Sequence, residues 1–103
     1  MQRKVRDFLS YFLCVGEREL DALEAISKKA MPVEEVAKKL NISRSLAQRY
    51  LKSLVAMRLA ERKRIKTERG KKFVYKSKPQ KEIKRMLKES IRLWYKELMK
   101  QLK

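Results

Sequence analysis

Histidine is absent from the 103-residue chain, and cysteine occurs once, at Cys14. The usual zinc sites, histidine general bases and Cys–His pairs therefore have no residues to be built from, and no intrachain disulfide can form. A single thiol fits a reducing intracellular compartment. Glycine and proline each occur twice, too few for a Gly-rich phosphate loop or a long flexible linker. No nucleophile–base pair or metal constellation is visible. The expectation is a protein that is not an enzyme and holds no cofactor and no metal. Gln and Asn are scarce beside Lys, Arg and Glu, a bias like that of thermophile proteins.

Long apolar runs are missing too. The run from Phe8 to Gly16 falls far short of the about 20 residues that span a bilayer. It follows basic residues as a signal peptide would, but Asp7 interrupts the boundary and no small-residue cleavage site follows, so a soluble helix is expected there and no membrane role. Acid is the last deficit: Asp and Glu number 12 against 29 Lys and Arg, a net charge of +17. A chain this basic is drawn to anionic surfaces, nucleic acid foremost. Its hydrophobic fraction of 44% is enough for a core.

Apolar periodicity divides the chain, which is read as one domain, 1–103. Residues 1–14 carry Val5, Phe8, Leu9, Phe12 and Leu13 at helical spacing, and Gly16 breaks the pattern. Residues 17–29 begin acidic and end in Lys28 and Lys29, the charge order that a helix dipole favours, with Leu20, Leu23, Ile26 and Ser27 inward. "AMP" (30–32) is an extended link, because the residue before Pro32 is kept out of the helical region. A two-turn helix over 33–40 follows, then a tight turn at Asn41–Ile42. Ser43 is placed to cap a helix running to about Met57. Leu59–Lys66 and Lys72–Ser77 read as strands around a turn at Thr67–Lys71, with Gly70 supplying positive φ. Pro79 opens a final helix, 80 to about 102, striped by Ile83, Leu87, Ile91, Trp94, Leu98 and Leu102. The fold class is mostly α with a small β-hairpin wing: a winged helix-turn-helix core, 17–78, with extra N-terminal (1–14) and C-terminal (79–103) helices.

On a helical wheel of residues 43–58, Ala47, Leu51, Leu54, Val55 and Arg58 share one side, and Ser45, Gln48, Arg49, Lys52 and Ala56 the other. The second side is cationic, acid-free and slender, with groups that a B-DNA major groove accepts: Arg pairs with guanine O6 and N7, Gln with adenine N6 and N7. Ser43 and Arg44 sit where free N–H groups and the helix dipole favour a phosphate. Residues 43–58 carry Arg44, Arg49, Lys52 and Arg58 and no acid. The hairpin carries Arg62, Lys63, Arg64, Lys66, Arg69, Lys71, Lys72, Lys76 and Lys78 against Glu61 and Glu68. The expected DNA contacts are Ser43, Arg44, Ser45, Gln48, Arg49, Lys52, Arg62, Arg64, Lys66, Arg69, Lys71 and Lys72, with the helix reading bases and the wing (59–77) meeting backbone.

The segment "MPVEEVAKKLNISRSLAQRYLKSLVAMRLAERKRI" resembles the winged helix-turn-helix of small archaeal transcription regulators of the TrmB-like class. "CVGERELDALEAI" is similar to their lead-in, "FVYKSKP" to their second wing strand, and "RLWYKELM" to an aromatic pair late in the last helix of some members. The resemblance covers about residues 12–100. It implies a DNA-binding regulator, usually a dimer. Two departures stand out. Members often have Gly where Arg58 stands, at a helix end that commonly takes φ > 0 and so costs a non-Gly residue about 1 kcal/mol. Longer members carry a sugar-binding domain that this chain would lack, so no small-molecule effector is inferred.

The outer helices bring more large apolar side chains than a winged-helix core needs. Val5, Phe8, Phe12, Ile83, Leu87, Ile91, Trp94 and Leu98 are expected at a homodimer interface that sets two reading helices about 34–36 Å apart. Cys14 is open to three readings: a buried thiol, an intersubunit disulfide or a redox sensor. The functional expectation is a dimeric, sequence-specific double-stranded DNA-binding regulator in the cytoplasm, associated with the nucleoid. The alternative is an architectural or chromatin protein that binds DNA with little specificity.

Overall fold

A computed structural model describes all residues, Met1–Lys103. The order is α1 (Arg3–Phe12), α2 (Glu17–Lys28), α3 (Val33–Leu40), α4 (Arg44–Ala56), β1 (Ala60–Thr67), β2 (Gly70–Ser77) and α5 (Gln80–Gln101). This is a winged helix-turn-helix with added terminal helices. Leu20, Leu23 and Ile26 of α2, Val36 of α3, Leu51 and Leu54 of α4, and Ile83 of α5 meet in one core. Ser27 is not inward: it is exposed, its hydroxyl donating to the Glu24 carbonyl at 2.6 Å, while Ala22 and Ala25, on the other side of α2, are buried.

The scarcity of glycine shows at the helix ends. Three residues with side chains take the left-handed region: Cys14 (φ 56), Asn41 (φ 55) and Arg58 (φ 64). After α3 and α4 the chain closes with the same wrapped geometry, Ile42 N–H donating to the Ala37 carbonyl and Leu59 N–H to the Leu54 carbonyl, both at 3.0 Å. Asn tolerates this conformation; Arg and Cys do so at a cost of about 1 kcal/mol. Arg58 lies outside α4 and is exposed, so the wheel that placed it on the buried side extended the helix two residues too far. Arg58→Gly is expected to stabilise the fold by up to about 1 kcal/mol and raise the melting midpoint by about 4 °C. A lowered midpoint in a thermal melt would contradict the strain argument.

A network that the sequence did not reveal fixes α1. Arg6 reaches Asp21 at 2.9 Å, Glu17 at 3.0 Å and Glu24 at 3.2 Å, all on α2. Asp21, then Glu17 and Glu24, hold the guanidinium charged by favouring its protonated form against the desolvation of partial burial. Arg18 continues the chain of contacts to Asp21 and to the Leu40 carbonyl. Leu9 is the one α1 residue wholly buried against the core.

The two strands pair antiparallel from Ala60↔Ser77 to Thr67↔Gly70. The turn is therefore shorter than expected: only Glu68 and Arg69 lie outside the ladder. Gly70 has φ 116, and the Thr67 hydroxyl donates to its carbonyl at 2.8 Å, which keeps both strands paired to the tip. Met31 pairs with Tyr75 through both backbone bonds, 2.9 and 3.1 Å, so the extended link before Pro32 borders the sheet.

α5 changes character midway. Ile83 and Leu87 pack into the core, but nothing from Lys88 onward is buried. The helix runs clear of the domain, giving a molecule 61 × 25 × 21 Å in extent.

Candidate nucleic-acid interface

Ser43 caps α4 as its position suggests: its hydroxyl accepts from the Leu46 N–H at 3.1 Å. Ala47, Leu51 and Leu54 bury one side of α4, and the Ser53 hydroxyl donates to Glu19 at 3.1 Å, tying the helix to α2. Rotation about the α4 axis is thereby fixed. Ser45, Arg49 and Lys52 are exposed on the opposite side, while Gln48 is half-buried at its margin.

The wing has two faces, because side chains alternate. The register puts Arg62, Arg64, Phe73 and Tyr75 on one, and Lys63, Ile65, Lys72 and Val74 on the other. Tyr75 is buried at the base. The Arg62 guanidinium lies 4.2 Å from the centre of the Phe73 ring and that of Arg64 5.3 Å from it. The ring attracts both cations and narrows their orientations. Phe73 escaped the sequence reading, although strand alternation could have found it. Lys66 and Lys71 face each other directly, a like-charge pair that costs stability. Lys71 therefore lies on the strand opposite Lys66, and Arg69 occupies the tip.

Of the expected DNA-contacting cations, Arg44 alone forms an ion pair, its Nε donating to Glu34 at 3.1 Å. Arg49 and Lys52 on α4, and Arg62, Arg64, Lys66, Arg69, Lys71 and Lys72 on the wing, form no ion pair within the protein. Glu34 has its carboxyl held below the usual range, first by a backbone N–H of its own residue and then by Arg44, with Lys72 contributing through its charge.

The residues expected at a dimer interface divide. Ile83 and Leu87 are buried within the protomer, because the first turns of α5 complete its own core. Val5 and Phe8 are half-buried, whereas Phe12, Ile91, Trp94 and Leu98 are exposed. Phe8 and Phe12 stack at 4.5 Å, and Phe12 meets Trp94 edge-on at 5.8 Å. Phe8, Phe12, Leu13, Ile91 and Trp94 line an apolar groove between α1 and α5. Tyr11, Leu93, Tyr95 and Met99 are exposed apolar side chains outside the predicted stripe, and Leu102, its last member, is exposed as well. Cys14 is exposed, not a buried thiol, because its left-handed turn points it away from the core. No helix is long and apolar enough to cross a membrane.

Residues 15–69 match the model of the MarR family. No curated protein matches the chain by sequence. Among solved structures, a possible transcriptional regulator from Methanosarcina mazei is 19% identical over 96% of this chain and 86% of that one, with a TM-score of 0.82. The ST1889 protein of Sulfolobus tokodaii is 18% identical over 97% of this chain and 99% of its own, with a TM-score of 0.67. A PadR family regulator from Clostridium difficile is 16% identical over 84% and 98%, with a TM-score of 0.58. What these structures share with this chain is the fold. The matching family model is that of MarR, where the motifs alone suggested the TrmB-like class; the winged helix-turn-helix is the common ground.

Proposed function

The chain belongs to the MarR family of winged-helix transcription regulators, and from that premise we propose that it is a homodimer binding specific double-stranded DNA sites, with α4 in the major groove and the wing on flanking backbone. The observation that carries this reading is the distribution of unpaired cations. Arg49 and Lys52 on the exposed side of α4 and six cations along the wing form no ion pair within the protein; of the expected DNA contacts, Arg44 alone is paired. Like charges stand opposed at Lys66 and Lys71, an arrangement that a phosphate would relieve. Arg49 and Gln48 are the base-reading candidates, because Arg and Gln can each make bidentate pairs with a purine edge. Ser43 and Arg44, at the start of α4, suit a phosphate.

The exposed apolar surface of α1 and α5 supports the dimer. An apolar groove with exposed large side chains about it, on a charged protein, marks an interaction site, and a second copy supplies a matching face by symmetry. Cys14 lies two residues beyond the end of α1, near that patch in sequence, and an intersubunit disulfide there is one arrangement that a dimer would allow. As a DNA-bound regulator the protein would reside in the cytoplasm with the nucleoid. Sequencing the DNA recovered with the protein from cells is expected to give discrete peaks sharing a two-fold-related motif with half-site centres about one helical turn apart. Uniform coverage would instead favour the chromatin-coating role.

A further inference from the structure

We infer that Glu34 is a specificity-determining residue: by gripping Arg44 on its Nε edge across the helix-turn-helix, it positions that guanidinium for one phosphate and discourages loosely seated DNA. The inference rests on the DNA-reading role proposed for α4. Glu34 lies in the first turn of α3 and Arg44 in the first turn of α4, and their side chains meet over the turn that joins the two helices. Both remain more than half exposed, so the pair is no buried structural element, and its contribution to stability is small. Its geometry is more informative. The bond uses Nε, and the two terminal nitrogens of Arg44 make no hydrogen bond in the protein. That edge can still pair with two phosphate oxygens.

Glu34 also adjoins the wing. It shares an open cleft with Ile42 and Lys72, and the charge of Lys72 acts on its carboxylate. An acid thus stands between a cation of α4 and a cation of the wing, at the edge of the surface offered to phosphate; Glu35, which lines the same cleft, is paired with Lys29. On a site that lets α4 seat fully, Arg44 can reach its phosphate while staying bonded to Glu34, and the carboxylate remains neutralised. On DNA that does not admit the helix, binding is a loose electrostatic association. There the carboxylate repels the backbone and keeps Arg44 from following it. Glu34 therefore acts as a positioning residue with a second, repulsive part in discrimination.

The test compares wild-type protein and Glu34→Gln on a site recovered from cells and on random duplex of equal length, at several salt concentrations. Expected for Glu34→Gln is tighter binding to random DNA with a steeper salt slope, binding to the site unchanged or weaker, and a preference reduced about tenfold, roughly threefold from each protomer. Glu34→Asp, which keeps the charge but shortens the reach to Arg44, is expected to lose part of the preference without tightening on random DNA. Equal tightening on both DNAs would overturn the inference, since it would reduce Glu34 to a bystander charge. No change on either would overturn it as well. A wild-type protein with no preference between the two DNAs would overturn the DNA-reading role itself, and is read before any variant is made.

Discussion

Replacing Trp94 by glutamate should leave a folded protein that sediments as a monomer. Trp94 is 55% exposed and its one aromatic contact is the edge of Phe12, so the core does not depend on it. In a two-fold interface each substitution appears twice, and each places a charge where apolar surface is removed from water. The dissociation constant should rise roughly a thousandfold or more. Ending the chain after Lys88 tests the same assignment by subtraction. It keeps Ile83 and Leu87, which belong to the core, and removes Ile91, Trp94, Leu98 and their neighbours, none of which is buried. A cut before α5, at Lys78, would not discriminate: it takes Ile83 out of the core and should unfold the domain. DNA affinity should fall with dimerisation, because the second half-site is then bound only from solution, and avidity contributes about 10²–10⁴. If Trp94→Glu and the 1–88 protein both remained dimers, the α1–α5 surface would not be the dimer interface.

The parts of the fold legible in the sequence were those governed by local chemistry. α3 begins after Pro32, carries Glu34 and Glu35 in its first turn, and ends at Asn41, a residue that tolerates left-handed backbone. Ser43 caps α4, and Gly70 takes the positive φ of the hairpin. What remained illegible depends on where elements sit in space. The stripe of α5 has one period throughout, so nothing local says that Ile83 and Leu87 meet the core while Ile91 and Trp94 pass beyond it. Only the size of the domain decides that. The grip of Arg6 on Asp21, Glu17 and Glu24 needs α1 laid against α2. At the candidate site the wheel placed Ser45, Arg49 and Lys52 on the exposed side of α4, since Ala47, Leu51 and Leu54 fix its rotation. It could not show Arg44 bonded to Glu34, a contact between two helices, nor Arg62 and Arg64 gathered on Phe73, which follows from hairpin register.

Arg49→Ala and Lys71→Ala should fail in different ways. Arg49 lies on the acid-free side of α4, exposed and unpaired, where a major groove would bring it to base edges. Removing it should cost about 1–3 kcal/mol on the preferred site and much less on random DNA, so the preference falls. Gln48→Ala should do the same more weakly, since Gln48 is half-buried at the margin of that side. Lys71 stands opposite Lys66 on the strand beside the wing tip, a position suited to flanking backbone. Its loss should weaken both DNAs alike and lower the salt slope by about one unit for each protomer, the signature of a phosphate contact. It should also stabilise the free protein slightly, because the repulsion with Lys66 goes with it. Binding isotherms on both DNAs across salt, with a thermal melt of each variant, separate these outcomes. Equal losses for Arg49→Ala on the preferred and the random duplex would mean that this side of α4 meets backbone only, and the low-specificity, DNA-coating role would then account for the charge better.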